Sequence, residues 1–286
     1  MILPTFDYAI PANLDEAITL LKANTRSKPL AGGQSLLVKM KLRQSLPTLL
    51  IDLRAIPQLS GIQRTSSGEL RLGAMTPLVV VAEDPTIQQS YPIVIEALKG
   101  TADPQIRNRG TVGGSIVSDE VSPPLLAVAL ALDATMQITN PAGTRMISVS
   151  DFIAQPLSGR LAADEIMTAI YFPVTVSGSG SAYEQFKQSA AIPSIRGIAA
   201  TVIPASNGVL QTCRIAAAGM TKESMHLSEI ETALQGRELT VEAIDAAFHT
   251  YKTRHGLSPL AASAEYQAHL AHMLTKRALI RAWQQT

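Results

Sequence analysis

The sequence predicts an α+β chain in two parts, with a boundary near residues 176/177. Three observations predict it. Near the start, strand, helix and strand patterns alternate at the spacing of a small α/β unit. Around 198–216 two apolar extended stretches are followed only by helical patterns. Between these regions lies Ser177-Gly178-Ser179-Gly180-Ser181, the most linker-like segment in the chain. No internal repeat is evident.

Phe6–Ile10 reads as extended, and Pro11 ends it. Asn13 is an N-cap candidate with Glu16 three residues on, a variant of the capping box. Leu14, Ala17, Ile18 and Leu21 then fall on one helical face. Lys28-Pro29-Leu30 leads into Ala31-Gly32-Gly33-Gln34-Ser35, and Leu49–Leu53 supplies the next strand. After Glu69 a short strand carries Leu70 and Leu72, and Thr76-Pro77-Leu78 starts a helix. A helix over 92–99 stops at Gly100. The stretch 103–110 is polar and reads as a loop running into Thr111-Val112-Gly113-Gly114-Ser115. Ser122 and Pro123 open another helix. Asn140-Pro141-Ala142-Gly143 marks a hairpin. Asn207-Gly208 joins the two late strands, and helices are expected at about 228–235, 240–252 and 264–284.

Composition narrows the function. The chain has 286 residues, 46% of them apolar, enough for a sizeable core. Its 24 basic and 23 acidic residues are spread without a long basic run, which argues against a nucleic-acid footprint. The start has no basic segment followed by an apolar one, and the longest apolar run, Leu125–Leu132, falls well short of the ~20 residues of a span. No integral membrane segment and a cytoplasmic location are expected. Cys213 is the single cysteine, so the chain forms no disulfide within itself and supplies no Cys-ligated iron–sulfur cluster. All five histidines lie at or beyond His226. His269 and His272 are spaced i, i+3 on the last helix, which reads as a solvated face, and no metal site is expected.

Two glycine pairs are the chemical signal. Gly32-Gly33 and Gly113-Gly114 each precede a serine, Ser35 and Ser115. Glycine lets backbone N–H groups approach an anion, and two such turns on one site could hold a diphosphate, with Thr111, Ser35 and Ser115 adding hydroxyls. Alone, each pair reads as a turn or bulge far more often than as a phosphate cradle. Arg107 and Arg109 suit a phosphate, a partner's carboxylates or solvent. Asp119 and Glu120 are adjacent, so their side chains diverge and make a poor acid–base pair. No catalytic residue is expected. A nucleotide cradle without acid–base groups fits a protein whose chemistry belongs to its cofactor.

The segments Lys28–Leu36 and Ala102–Ser115, with the tail Ala262–Leu279, resemble the FAD-binding medium subunit of molybdenum hydroxylases over essentially the full length. That family includes the flavoproteins of carbon monoxide, nicotine and xanthine dehydrogenases. The resemblance implies a FAD-binding domain of vanillyl-alcohol-oxidase-like fold over 1–176, with subdomains at about 1–55 and 56–176 and FAD between them. A smaller α+β domain over 177–286, with a three-stranded antiparallel sheet and helices, would close over the flavin ring. It places Pro29, Leu30, Ala31, Gly32, Gly33, Gln34, Ser35, Leu36, Thr111, Gly113, Gly114 and Ser115 on the pyrophosphate and ribityl groups. Ala102, Ile106 and Ser118 are also assigned to the cofactor. Ile166 and Met167 would border the adenine, and Lys187 the isoalloxazine. Glu120 stands where the family has an Asp, while Pro124 replaces another, and Ser115 stands where Asn is frequent. Ile192–Ile195 lacks an aromatic that some members place against the flavin, which predicts a flavin open to dioxygen.

The resemblance further implies non-covalent FAD here, molybdenum–pterin on a large partner subunit and [2Fe–2S] clusters on a small one. The assembly expected is a dimer of heterotrimers. The alternative is a free-standing flavin reductase of the same cofactor-domain class using a nicotinamide, for which the sequence offers no motif.

Overall fold

The computed structural model describes residues 2–118, 123–156, 159–187, 196–219, 224–250 and 263–286. By packing, the chain forms two units: 1–81, 104–119 and 134–173 make the first, and 82–103, 120–133 and 174–286 the second. The last segment of the second unit begins at Val174, and two earlier segments pack with it. Two early segments belong with the C-terminal part, because their helices are apolar enough to need its sheet.

The first unit begins with a parallel sheet ordered β1-β3-β2, from β1 (Asp7–Ala9), β2 (Ser27–Leu30) and β3 (Leu49–Asp52). Helix α1 (Leu14–Ala23) starts where Asn13 accepts a hydrogen bond from the Glu16 N–H, while the Glu16 carboxylate accepts from the Ala12 N–H. The capping box is thus reciprocal, though shifted by one residue. Neighbouring residues of β3 point to opposite faces, and this separates two cores. Ile51 packs with Leu14, Ala17, Ile18 and Leu21 of α1. Leu50 packs with Leu30 and with Met40 of α2 (Leu36–Lys41).

The same unit holds an antiparallel sheet ordered β4-β5-β8-β6-β7. Its strands are β4 (Ile62–Arg64), β5 (Leu70–Gly73), β6 (Thr135–Asn140), β7 (Gly143–Ser148) and β8 (Ile166–Phe172). The β6–β7 hairpin forms as expected, its turn held by the Asn140 side chain accepting from the Ala142 and Gly143 N–H groups. Four short helices complete the connections: α3 (Leu78–Glu83, which crosses the packing boundary), α6 (Pro104–Arg109), α7 (Val112–Val117) and, after the hairpin, α9 (Val149–Ala154).

Two differences bear on the site. The polar stretch 103–110 is not a loop but contains α6, which buries none of its side chains and so shows no apolar period. Gly113 and Gly114 do not precede a helix; they lie inside the first turn of α7, capped by Thr111.

The second unit is built on an antiparallel sheet ordered β12-β11-β10-β9. The three long strands are β9 (Gly180–Phe186), β10 (Arg196–Pro204) and β11 (Leu210–Ala218). A two-residue strand, β12 (Met225–His226), extends the expected three to four. Gly180 and Ser181, read as linker, belong to β9. Helix α12 (Ala264–Trp283) lies so close to β9 that a Cβ on Gly180 would stand 1.8 Å from the Ala282 carbonyl oxygen. Helices α4 (Pro85–Ser90), α5 (Pro92–Lys99), α8 (Pro124–Ala131), α10 (Ser228–Leu234) and α11 (Val241–Thr250) surround the sheet. Every residue of α8 from Leu125 to Ala131 is buried, as an evenly apolar helix requires.

Arg196 locks this unit. Its buried guanidinium donates to the Gln267 carbonyl (2.8 Å), the Gln267 side-chain oxygen (3.0 Å) and the Gly219 carbonyl (3.0 Å). It thereby ties β10 to the first turn of α12 and the end of β11. Arg281 of α12 pairs with both Glu96 and Glu184, and Glu96 also accepts from the Tyr183 N–H.

Candidate functional site

The candidate site lies at the carboxyl end of β2, where parallel strands commonly present ligand sites. Leu30 closes the strand opposite Asp52 of β3. The Asp52 carboxylate is held by Tyr8 and by Arg54, whose N–H and guanidinium both donate to it. Burial alone would raise its pKa. The hydrogen bonds from Arg54 and Tyr8 prevail and hold it below the usual carboxylate value. A charged clamp therefore fixes the end of the sheet from which the glycine turn departs.

The turn runs from Ala31 to Ser35. Gly33 has φ +74°, a left-handed conformation that a residue with a Cβ adopts at a cost. The Leu37 N–H donates to the Gly33 carbonyl, linking the turn to α2. Among the described residues, the N–H groups of Gly32, Gly33 and Gln34 donate to no protein acceptor. Three consecutive amides left over at a glycine turn are a fitting cradle for an anionic oxygen.

The second glycine pair packs against the first. A Cβ on Gly32 would stand 2.2 Å from the Arg109 carbonyl oxygen, and one on Gly114 would be 3.9 Å from the Ala31 Cβ. A Cβ on Gly113 would meet the Ala74 Cβ at 2.7 Å. The backbones of 31–33, 74–76 and 109–114 are thus stacked in contact, and the glycines permit it.

The two turns are not equivalent donors. The Gly113 N–H donates to the Ala74 carbonyl (2.7 Å), the Gly114 N–H to the Thr111 hydroxyl (3.2 Å) and the Ser115 N–H to the Thr111 carbonyl (3.0 Å). The expectation that both turns present free amides is corrected: only the first does. The reason is that Thr111, as N-cap, takes the Gly114 and Ser115 N–H groups, while the Ala74 carbonyl takes that of Gly113. What the second turn adds is hydroxyls. At the far end of α7 the Ser118 hydroxyl is buried with no hydrogen-bond partner among the described residues. A buried hydroxyl without a partner suits a polar ligand.

The other expected residues distribute as follows. Pro29 and Leu30 end β2, Leu36 begins α2 and Ser35 precedes it. Ile106 is half-buried in α6. Ile166 and Met167 are both buried in β8, Ile166 in the core shared with α1, so main chain is what they can present. Ala102 and Lys187 belong to the second unit; Ala102 has φ +46°, and Lys187 follows β9 half-buried. Glu120, the Asp119–Ser122 segment and Ile192–Ile195 lie outside the described residues.

No group of three or more potential metal ligands occurs among the described residues. His269 is exposed, whereas His272 stacks on Phe248 and bonds to Asp245, which also binds Lys276. It is a packed contact between α11 and α12 rather than a solvated face. Cys213 is buried in β11, and desolvation pushes its thiol far up, so it is an inert core residue.

Residues 4–175 match the FAD binding domain in molybdopterin dehydrogenase, and 181–282 the CO dehydrogenase flavoprotein C-terminal domain. The chain belongs to this flavoprotein family. It is 32% identical to the nicotine 6-hydroxylase medium subunit of Paenarthrobacter nicotinovorans, covering 100% of both chains. Among solved structures it is similar to carbon monoxide dehydrogenase from Hydrogenophaga pseudoflava, with a TM-score of 0.93 and 34% identity over 100% of this chain and 99% of that one. A reconstituted CO dehydrogenase from Oligotropha carboxidovorans gives a TM-score of 0.94 at 30% identity, covering 100% of both chains. The protein is therefore a molybdenum hydroxylase flavoprotein, an oxidoreductase subunit with FAD as its cofactor. The free amides and the orphan hydroxyl in the first unit fit that cofactor. Among the described residues no helix is long and apolar enough to cross a membrane.

Proposed function

We propose that this chain carries non-covalent FAD as the electron-exit subunit of a heterotrimeric molybdenum hydroxylase. It takes electrons from [2Fe–2S] clusters on a small partner subunit and passes them to a terminal acceptor. Substrate is oxidised at molybdenum–pterin on a large subunit, and the complex is a dimer of heterotrimers. The observation that carries the reading is the row of unspent amides at Gly32, Gly33 and Gln34, in a chain matching medium subunits end to end.

When bound, FAD would collect electrons singly and discharge them to the terminal acceptor. The residues around it need not move protons on a substrate. The amides of Gly32, Gly33 and Gln34 bind the diphosphate, and the hydroxyls of Ser35, Thr111, Ser115 and Ser118 add donors. Pro29, Leu30, Ala31 and Leu36 fix the backbone on either side. Gly113 and Gly114 act by letting segments pack closely. Ile106, Ile166 and Met167 border the nucleotide, Ala102, Glu120 and Lys187 complete the set, and the chain works without a catalytic acid or base.

The supporting division of labour is in the composition: one buried cysteine leaves no ligands here for a cluster. Nothing in the site favours a free-standing nicotinamide-dependent reductase. Purification from the native source tests the proposal. Two companion chains, iron, molybdenum and FAD in one complex are expected; an active single-chain reductase bleached by a nicotinamide contradicts it.

A further inference from the structure

The function proposed above leaves one motif unused, the two arginines of Arg107-Asn108-Arg109. By type they suit a phosphate, a partner's carboxylates or solvent. The structure separates them. Both lie in the last turn of α6, but Arg107 is half-buried and already engaged, whereas Arg109 is exposed. Among the described residues the Arg109 side chain makes no hydrogen bond and no ion pair, so its charge is unspent.

Its position is fixed beside the first glycine turn. The Arg109 carbonyl oxygen and the Gly110 Cα are what a Cβ on Gly32 would strike, at 2.2 Å and 2.9 Å. The Arg109 Cα therefore stands within one arginine side chain of the Gly32 amide, the first of the three free donors. Other bonds hold the contact in place. The Gly110 N–H donates to the Ile106 carbonyl (2.6 Å), and the Leu78 N–H donates to the Gly110 carbonyl (2.9 Å). The end of α6 is thus set against the turn before any ligand arrives.

Charge supplies the need. A diphosphate is an anion, and amides offer it dipoles but no countercharge. At the sheet end Asp52 and Arg54 neutralise each other, so neither serves. An arginine presents a planar fork of donors that fits two phosphate oxygens, and a hydrogen bond between ions is roughly twice as strong as one between neutral groups.

We infer that Arg109 is the cationic partner of the FAD diphosphate, its guanidinium taking phosphate oxygens that the amides of Gly32, Gly33 and Gln34 leave over. The inference rests on the function proposed above. It gives the two arginines different work: Arg107 belongs to the fold and Arg109 to the cofactor. Because the pair is ionic and Arg109 is exposed, FAD binding weakens as salt rises.

The test titrates the full chain, stripped of flavin, with FAD and follows flavin fluorescence. Arg109→Gln removes the charge, Arg109→Lys keeps it without the fork, and Lys22→Gln is the control. Lys22 is exposed near the end of α1, which leads into the start of β2, at the opposite end of that strand from the cradle. Arg109→Gln is expected to bind FAD roughly tenfold more weakly, with Arg109→Lys in between. Its affinity is also expected to fall less than the parent's as salt rises from about 0.05 M to about 0.5 M. The phosphorus NMR lines of bound FAD are expected to shift, while the thermal midpoint of the apo chain and the affinity of Lys22→Gln stay those of the parent. Parent-like affinity and salt dependence in Arg109→Gln, unmoved phosphorus lines, or an equal loss in Lys22→Gln overturns the inference. A lowered apo midpoint that accounts for the lost affinity makes the residue structural and overturns it too. A parent chain that takes up no FAD contradicts the proposed function itself, a result read before any variant is made.

Discussion

Gly32 packs so closely on Arg109 that a Cβ would stand 2.2 Å from its carbonyl oxygen and 2.9 Å from the Gly110 Cα. Both obstacles are backbone, so neither can swing aside. Gly32→Ala is expected to separate the two turns, to cost about 1–3 kcal/mol of stability as an overpacked site, and to abolish tight FAD binding. Thermal unfolding of the apo chain and flavin content after gel filtration check the two effects.

Ser118 offers a cleaner separation of ligand from fold. Its buried hydroxyl has no hydrogen-bond partner among the described residues. Ser118→Ala is expected to leave apo stability unchanged or raised, while FAD binds about 1 kcal/mol more weakly, roughly fivefold. Flavin titration alongside unfolding curves measures both. Loss of apo stability with FAD affinity intact is the opposite outcome.

Arg196 is expected to matter only for stability. Removing its guanidinium takes the donors away from the Gly219 carbonyl and the Gln267 side-chain oxygen, and Arg196→Ala is expected to cost about 3 kcal/mol. Urea unfolding checks this.

Acid sensitivity follows from Glu165. Arg145 donates to both its oxygens, and this, opposed by burial and helped by the Ala162 N–H, holds its pKa below the usual 4.5. The unfolded chain therefore takes up the proton first. The stabilisation is complete above the unfolded value and disappears as pH falls through the folded one. Glu165→Gln is expected to flatten this part of the acid limb, read as unfolding midpoints from about pH 6 down to about pH 3.

Much of the fold is legible in the residues, and the failures share a cause. Helix α1 is readable because Asn13, Glu16 and four apolar positions agree. Helix α6 is not, because it buries nothing and leaves no period. The packing of α5 and α8 with the C-terminal sheet is also hidden, since it depends on partners distant in sequence. At the site, the two glycine pairs are visible as a pattern, and their mutual contact is what the fold adds. Their inequality could not be fully read, because Ala74 spends the Gly113 amide through a tertiary hydrogen bond. The orphan hydroxyl of Ser118 has no sequence signature at all. The Thr111–Gly114 cap is a partial exception: a Thr before a helix start hints at it.

The most direct measurement is the visible spectrum of the purified chain with the flavin released from it by acid. One FAD per chain, with the two absorption bands of a bound flavin, is the predicted result. A protein that is colourless as isolated, and stays so after incubation with excess FAD and gel filtration, contradicts it.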